Sequence, residues 1–163
     1  MATKQKTLIA LMSALCFLLS WLKIPIIPMA PFLTLDLYLL PIIMLVLHRE
    51  KGAYATLFLS TFLVFLFNGF DVSVMIGWLA QVVFGCVLIE GLTHHRPWWW
   101  MTITVLLAMV LLNQYIVLPL YEQVLHFQLP CHWMTYMIGA LIPFNLIKIG
   151  EYYLFSRMFC NIR

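Results

Sequence analysis

Apolar residues run along this chain in long blocks, and the blocks are broken by short polar or turn-rich stretches at 23–31, 48–52, 68–73, 94–97 and 119–131. A helix needs about 20 apolar residues to cross the hydrocarbon core of a bilayer, about 17–25 when tilt is allowed. The blocks therefore predict six spans, at 6–22, 33–47, 53–67, 74–92, 98–118 and 133–158. The second and third are short, so one of them is expected to be steeply set or to cross incompletely. Blocks follow one another from Thr7 to Phe159, and no small-residue cleavage site follows the first. The first block is thus expected to be helix one and not a removed signal. The expected fold class is an all-α bundle of six transmembrane helices, forming a single domain over residues 1–163.

Composition supports the membrane reading and narrows the function. Hydrophobic residues make up 64% of the chain and charged residues 9%, and the mean hydropathy is +1.01. These values lie far from those of soluble domains. The net charge of +3 reflects topology. Cytoplasmic flanks collect Lys and Arg. With the N-terminus inside, Lys4, Lys6, Arg49, Lys51, Arg96, Arg157 and Arg163 fall on inner flanks and Lys23 falls in an outer loop. Both termini are expected in the cytoplasm, in a multi-pass protein of the cell membrane. Asp36, Asp71 and Glu122 lie in or beside outer loops. The run Trp98–Trp100, just beyond Arg96 and Pro97, is expected to anchor helix five at the headgroup layer.

The four cysteines, Cys16, Cys86, Cys131 and Cys160, are widely spaced and form no C-x-x-C pair, so they are expected to pack rather than to ligate or cross-link. His126 and Cys131–His132 lie in one outer loop, but their spacing and number suit a metal poorly. No metal, cofactor, enzyme motif or nucleic-acid signature is expected.

Polar residues inside the spans carry the functional argument. Helix six reads LIPFNLIKIGEYY from Leu141 to Tyr153, and at 3.6 residues per turn Leu141, Asn145, Lys148 and Tyr152 share one stripe. A lysine at membrane depth costs at least about 2.5 kcal/mol and needs a cavity or a partner. Two readings stay open. Lys148 pairs with Glu151 one turn away or snorkels to the inner surface, or it faces a pocket in the outer half, the direction in which helical side chains lean here. Pro143 frees the carbonyl of Gly139 in that same half. Helix four adds Trp78 and Gln81, the latter between Gly77 and Gly85 on a face with little bulk, and helix five adds Asn113 and Gln114. Interhelical amide bonds account for each of these singly. Gathered at one depth with Lys148, they predict a pocket for a small polar heterocycle. In helix one, the stretch ALMSA places Ala10 and Ala14 one turn apart with Ser13 beside them, a spacing that lets another helix approach closely.

The same stretches resemble the substrate-binding S components of energy-coupling factor (ECF) vitamin transporters, in the group that takes riboflavin, pantothenate, and pyridoxine or a hydroxymethylpyrimidine. The likeness runs over essentially the whole chain and is carried by ALMSA in helix one, PMAPFLTLDLYLLP before helix two and IPFNLIK in helix six. It implies that Ala10 and Ala14 face a transmembrane coupling subunit that works with two ABC ATPases, that Asn145 and Lys148 contact substrate, and that residues 25–36 close over the vitamin. Asp36 and Tyr38, from that stretch and just beyond it, join the candidate substrate residues. This chain reads DLYLLP where the riboflavin type carries a DFSDIP-like continuation, and it is short for that type. Pyridoxine or a hydroxymethylpyrimidine is therefore the first expectation, then pantothenate or riboflavin. Two rival classes are a cell-shape scaffold subunit, with no small-molecule affinity, and an intramembrane enzyme, which needs a nucleophile beside a base. Every histidine lies in a loop or flank, away from Ser13 and Ser60.

Overall fold

A computed structural model of the chain describes residues 3–25, 34–69, 72–126 and 132–161. It is a helical bundle with one small β-ribbon. Helix α1 is Thr3–Leu19. Strands β1 (Lys23–Pro25) and β2 (Thr34–Asp36) follow, pairing antiparallel with Lys23 opposite Asp36. Then come α2 (Leu40–Leu47), α3 (Ala53–Phe67) and α4 (Val72–Thr93). Two long helices close the chain, α5 over 98–125 and α6 over 133–161.

The chain is mostly helical, as expected, and the two three-residue strands are a local departure from that pattern. The predicted second span at 33–47 begins as a strand and a turn, and only its last eight residues, Leu40–Leu47, are helical. At 1.5 Å per residue, α2 is about 12 Å long, against about 30 Å of hydrocarbon. It is apolar all round, as a helix enclosed by other helices must be. Tyr38, Leu39, Ile42 and Ile43 beside or within it are almost fully buried. It packs against α1, α3, α4 and α6. Among the described residues, two helices are long and apolar enough to cross a membrane on their own terms, Val74–Thr93 and Trp98–Val124.

Pro119 was expected to end the fifth helix, yet α5 continues to Leu125. A proline inside a helix lacks an N–H and its ring clashes with the carbonyl four residues back. Here a π-turn at Asn113–Val117 precedes Pro119, and a second at Met137–Leu141 precedes Pro143. Each widened turn takes up the defect, so the helix bends without stopping.

Close contacts fix the other end of the bundle. Gln5 donates to the carbonyl of Lys51 at 3.1 Å, joining the start of α1 to the α2–α3 turn. Gly52 sits in that turn at φ 118°, where a Cβ would run into Ile9 of α1; glycine permits both the conformation and the approach. Trp98 meets Tyr153 edge-on at 4.9 Å, Trp100 lies under Arg96 at 5.6 Å, and Trp99 is exposed. Cys16 is buried and Cys86 half-buried, both as free thiols. Asp71, Cys131, Arg163 and the Cys160 side chain lie outside the described residues.

Candidate functional site

The site forms at the end of the bundle opposite the two termini. Three helices bring polar side chains to it, and the ribbon supplies the fourth wall. Lys148 of α6 is 4% exposed, and its ammonium donates to Gln81 Oε1 at 2.7 Å and to Asp36 Oδ2 at 3.1 Å. The Gln81 amide donates in turn to Asp36 Oδ1 at 2.9 Å. The Tyr152 hydroxyl donates to the Asp36 carbonyl at 2.8 Å, and the Tyr38 N–H donates to Oδ1 at 3.2 Å. The rings of Phe84 and Phe144 flank the ammonium at 5.4 and 5.8 Å, close enough for cation–π attraction.

This arrangement resolves the open reading of Lys148. Its partner is Asp36, 112 residues earlier, and not Glu151. A carboxylate and an ammonium removed from water lose their hydration at high cost unless each is paired and hydrogen-bonded. Both are here, and Gln81 bridges the two charges with one donor and one acceptor.

A cavity of about 260 Å³ opens beside the pair, close to the lower end of ligand cavities, which start near about 300 Å³. Of the eight residues expected to meet substrate, it is lined by Asp36, Trp78, Gln81, Asn113 and Lys148. The other three are placed elsewhere, each for a visible reason. Asn145 is fully buried one turn above Lys148, donating to the Leu141 carbonyl at 2.8 Å, and does not reach the cavity wall. Gln114 is exposed on the outer side of α5, because the residue after Asn113 points about 100° away. Tyr38 turns its hydroxyl to Ser60 Oγ at 2.6 Å and Thr61 Oγ1 at 2.9 Å, and its ring meets Trp78 edge-on.

Sequence reasoning missed Ser20, Lys23, Thr34 and Tyr121, which also line the cavity. Lys23 and Thr34 arrive through the ribbon, whose one visible signal is opposite charges at the two ends of the proline-rich stretch, Lys23 and Asp36. The expected closure by residues 25–36 falls mostly on residues outside those described. No group of three His, Cys, Asp or Glu side chains gathers among the described residues; His132 caps α6 through Met134 N at 3.3 Å.

On α1, Ala10 and Ala14 are exposed together with Leu11, Leu15 and Leu18. Ser13, expected beside them, faces the other way. It is buried against α3, donating to Ile9 O at 2.7 Å with Thr56 O at 3.5 Å, so it belongs to the intramolecular contact.

Gly77 supplies the open floor of the cavity, since a Cβ there would meet nothing within 4 Å. Gly77→Leu is therefore expected to fill the cavity without disturbing the fold. Calorimetry on the purified protein should show ligand affinity down by at least about 10-fold, with thermal stability unchanged, because overpacking strain arises only where space is already filled. Unchanged affinity would mean that the ligand binds elsewhere.

No protein-family model matches the chain. The riboflavin transporter RibU of Streptococcus thermophilus is 31% identical over 164 residues, covering 90% of this chain and 76% of that protein. The riboflavin transporter RibU of Leuconostoc mesenteroides is 26% identical, covering 89% of this chain and 83% of the relative. Neither is named for pyridoxine or a hydroxymethylpyrimidine, so the first-placed substrate expectation loses its support. A solved structure of the S component of a bacterial ECF transporter superposes with a TM-score of 0.71 at 21% identity, over 98% of this chain and 92% of that one, and shares the fold. Identity of 31% over 90% of the chain, together with that fold, places the chain in the RibU family, the S components of ECF vitamin transporters.

Proposed function

We propose that this chain is the riboflavin-capturing subunit of an ECF importer, acting as one domain of six membrane-crossing segments with both termini in the cytoplasm. The observation that carries the reading is the buried Lys148–Gln81–Asp36 group beside a cavity walled by Trp78 and Phe144. A flat heterocycle with carbonyl and imide edges suits such a wall: the aromatic side chains bury its faces, and an ammonium plus a carboxamide meet its polar rim. The RibU names of the two relatives favour riboflavin over pyridoxine, a hydroxymethylpyrimidine or pantothenate.

The chain carries no phosphate-binding loop, so energy for transport must come from partners. A coupling subunit reading the Ala10–Ala14 face and two ABC ATPases fit that need. The protein is a binding subunit and not an enzyme, which leaves the scaffold alternative without a use for a charged cavity.

Titration of riboflavin into the purified protein, followed by quenching of flavin fluorescence, tests this. Wild type is expected to bind tightly and stoichiometrically. Lys148→Met removes a charged hydrogen-bond donor, a loss of about 1.5–3 kcal/mol or roughly 10- to 150-fold in affinity. Gln114→Ala, on the outer side of α5, should leave affinity unchanged. Equal affinity in wild type and Lys148→Met would remove the cavity from the account, and a different vitamin bound more tightly would replace riboflavin.

A further inference from the structure

The bundle has a second and larger cavity at its other end, about 920 Å³, between the α2–α3 turn, the α4–α5 turn and the end of α6. Its floor is apolar, built from Leu47, Ile89 and Leu92, and Tyr54 and Trp98 stand at its sides. Its rim is cationic. Arg49, Lys51, Arg96 and Arg157 line it, with Glu50 as the carboxylate among the lining residues. Among the described residues no ion pair joins Arg49, Lys51 or Arg96 to a carboxylate. The neighbouring Glu90 is engaged elsewhere, accepting from Tyr54 at 3.1 Å and lying 3.0 Å from His94.

The two turns that carry these charges are built alike. In the first, the Glu50 N–H donates to Leu45 O at 2.9 Å and the Arg49 N–H to Val46 O at 3.0 Å. In the second, the Arg96 N–H donates to Gly91 O at 2.8 Å and the His95 N–H to Leu92 O at 3.3 Å. Both are Schellman closures, which put the residue after the helix in the left-handed region, normally a glycine. This chain places Arg49 there at φ 55° and His95 at φ 51°. Glycine would adopt that backbone without strain. The chain instead keeps a long cationic side chain and an imidazole, both facing the same cavity.

We propose that this cavity binds a phosphate-bearing anion, carried by an anionic phospholipid whose acyl chains lie on the apolar floor. Cations clustered between membrane helices beside an apolar floor fit a lipid headgroup and its glycerol backbone. A soluble phosphate ester shares the headgroup chemistry but makes no use of Leu47, Ile89 and Leu92.

The test is native mass spectrometry of the full chain in nanodiscs of phosphatidylcholine with a minor fraction of phosphatidylglycerol, then released into detergent. Wild type is expected to retain phosphatidylglycerol in preference to phosphatidylcholine. Arg49→Gln/Arg96→Gln removes two charges and should lower that preference by about 30-fold. Arg49→Gly keeps the turn and relieves its backbone, so this variant should be at least as stable as wild type while retaining less phosphatidylglycerol. Monodisperse elution establishes that each variant is folded. Inorganic phosphate is added in a separate arm. If it displaces the lipid and raises thermal stability by itself, the phosphate group suffices; if only the lipid binds, the floor is part of the site. Equal retention of the two lipids with no effect of phosphate, or full retention by the double variant, overturns the proposal. It is likewise overturned if the double variant keeps the lipid but no longer co-purifies with transporter subunits, which would make this end a protein-docking surface.

Discussion

Asp36→Leu and Lys148→Met are each expected to lower unfolding stability in detergent by about 3–5 kcal/mol, while the double variant recovers most of the loss. Removing one partner leaves the other charge out of water without its counterion; removing both leaves two apolar side chains of similar bulk. The two single changes should differ. Without Lys148, Asp36 still accepts from Gln81, Tyr152 and the Tyr38 N–H, so that variant belongs at the lower end of the range. Without Asp36, Lys148 keeps Gln81 Oε1 and the two rings, and Gln81 and the Tyr38 N–H lose an acceptor, while Tyr152 keeps the backbone carbonyl. Asp36→Leu therefore belongs at the upper end. Thermal melts of the four proteins complete the cycle, and strictly additive losses would show that the two side chains are not coupled.

Ala10→Trp/Ala14→Trp is expected to reduce riboflavin uptake into cells or energised vesicles to background while affinity stays within about two-fold of wild type. Two indoles projecting from an exposed small-residue face hold a partner helix away from close approach, and neither Ala10 nor Ala14 lines the cavity beside Lys148. Ser13→Ala is the contrasting variant. It removes a buried hydrogen bond to Ile9 O and should cost about 1 kcal/mol of stability with transport retained. Uptake near the wild-type rate in the double tryptophan variant would move the coupling contact to another face.

Helix existence was legible in this sequence because lipid demands long apolar runs, and the third helix matches its predicted residues, Ala53–Phe67. The ends of the second and fifth helices were not legible. Leu35 and Leu37 are as apolar as the residues of a span, and nothing in hydropathy separates a short ribbon and turn from a helix that is fully enclosed by others. Pro119 looked like a terminator because its local chemistry argues against a helix interior; the compensation lies upstream, in a widened turn with no composition of its own. For the site, Lys148 alone left two readings open, and only its company at one depth with Gln81 and Asn113 predicted a pocket, since a buried ammonium is costly enough to require explanation. Its counterion was not deducible, because Asp36 stands 112 residues away and reaches Lys148 only through the unforeseen strand. Gln114 and Asn113 show the finer limit: of these two adjacent amides Asn113 is buried on the cavity wall and Gln114 is exposed, and which one turns inward depends on how the neighbours pack.

The π-turn at Asn113–Val117 also bears on how the family can vary in length. A turn of this kind holds one residue more than the regular helix needs. Deleting Gln114 would let α5 wind regularly, and because the widened turn alone absorbs the extra residue, Asn113 and Tyr121 on either side of it would both stay on the cavity wall. A one-residue gap at this point in an alignment would thus mark a neutral indel and not a change of ligand.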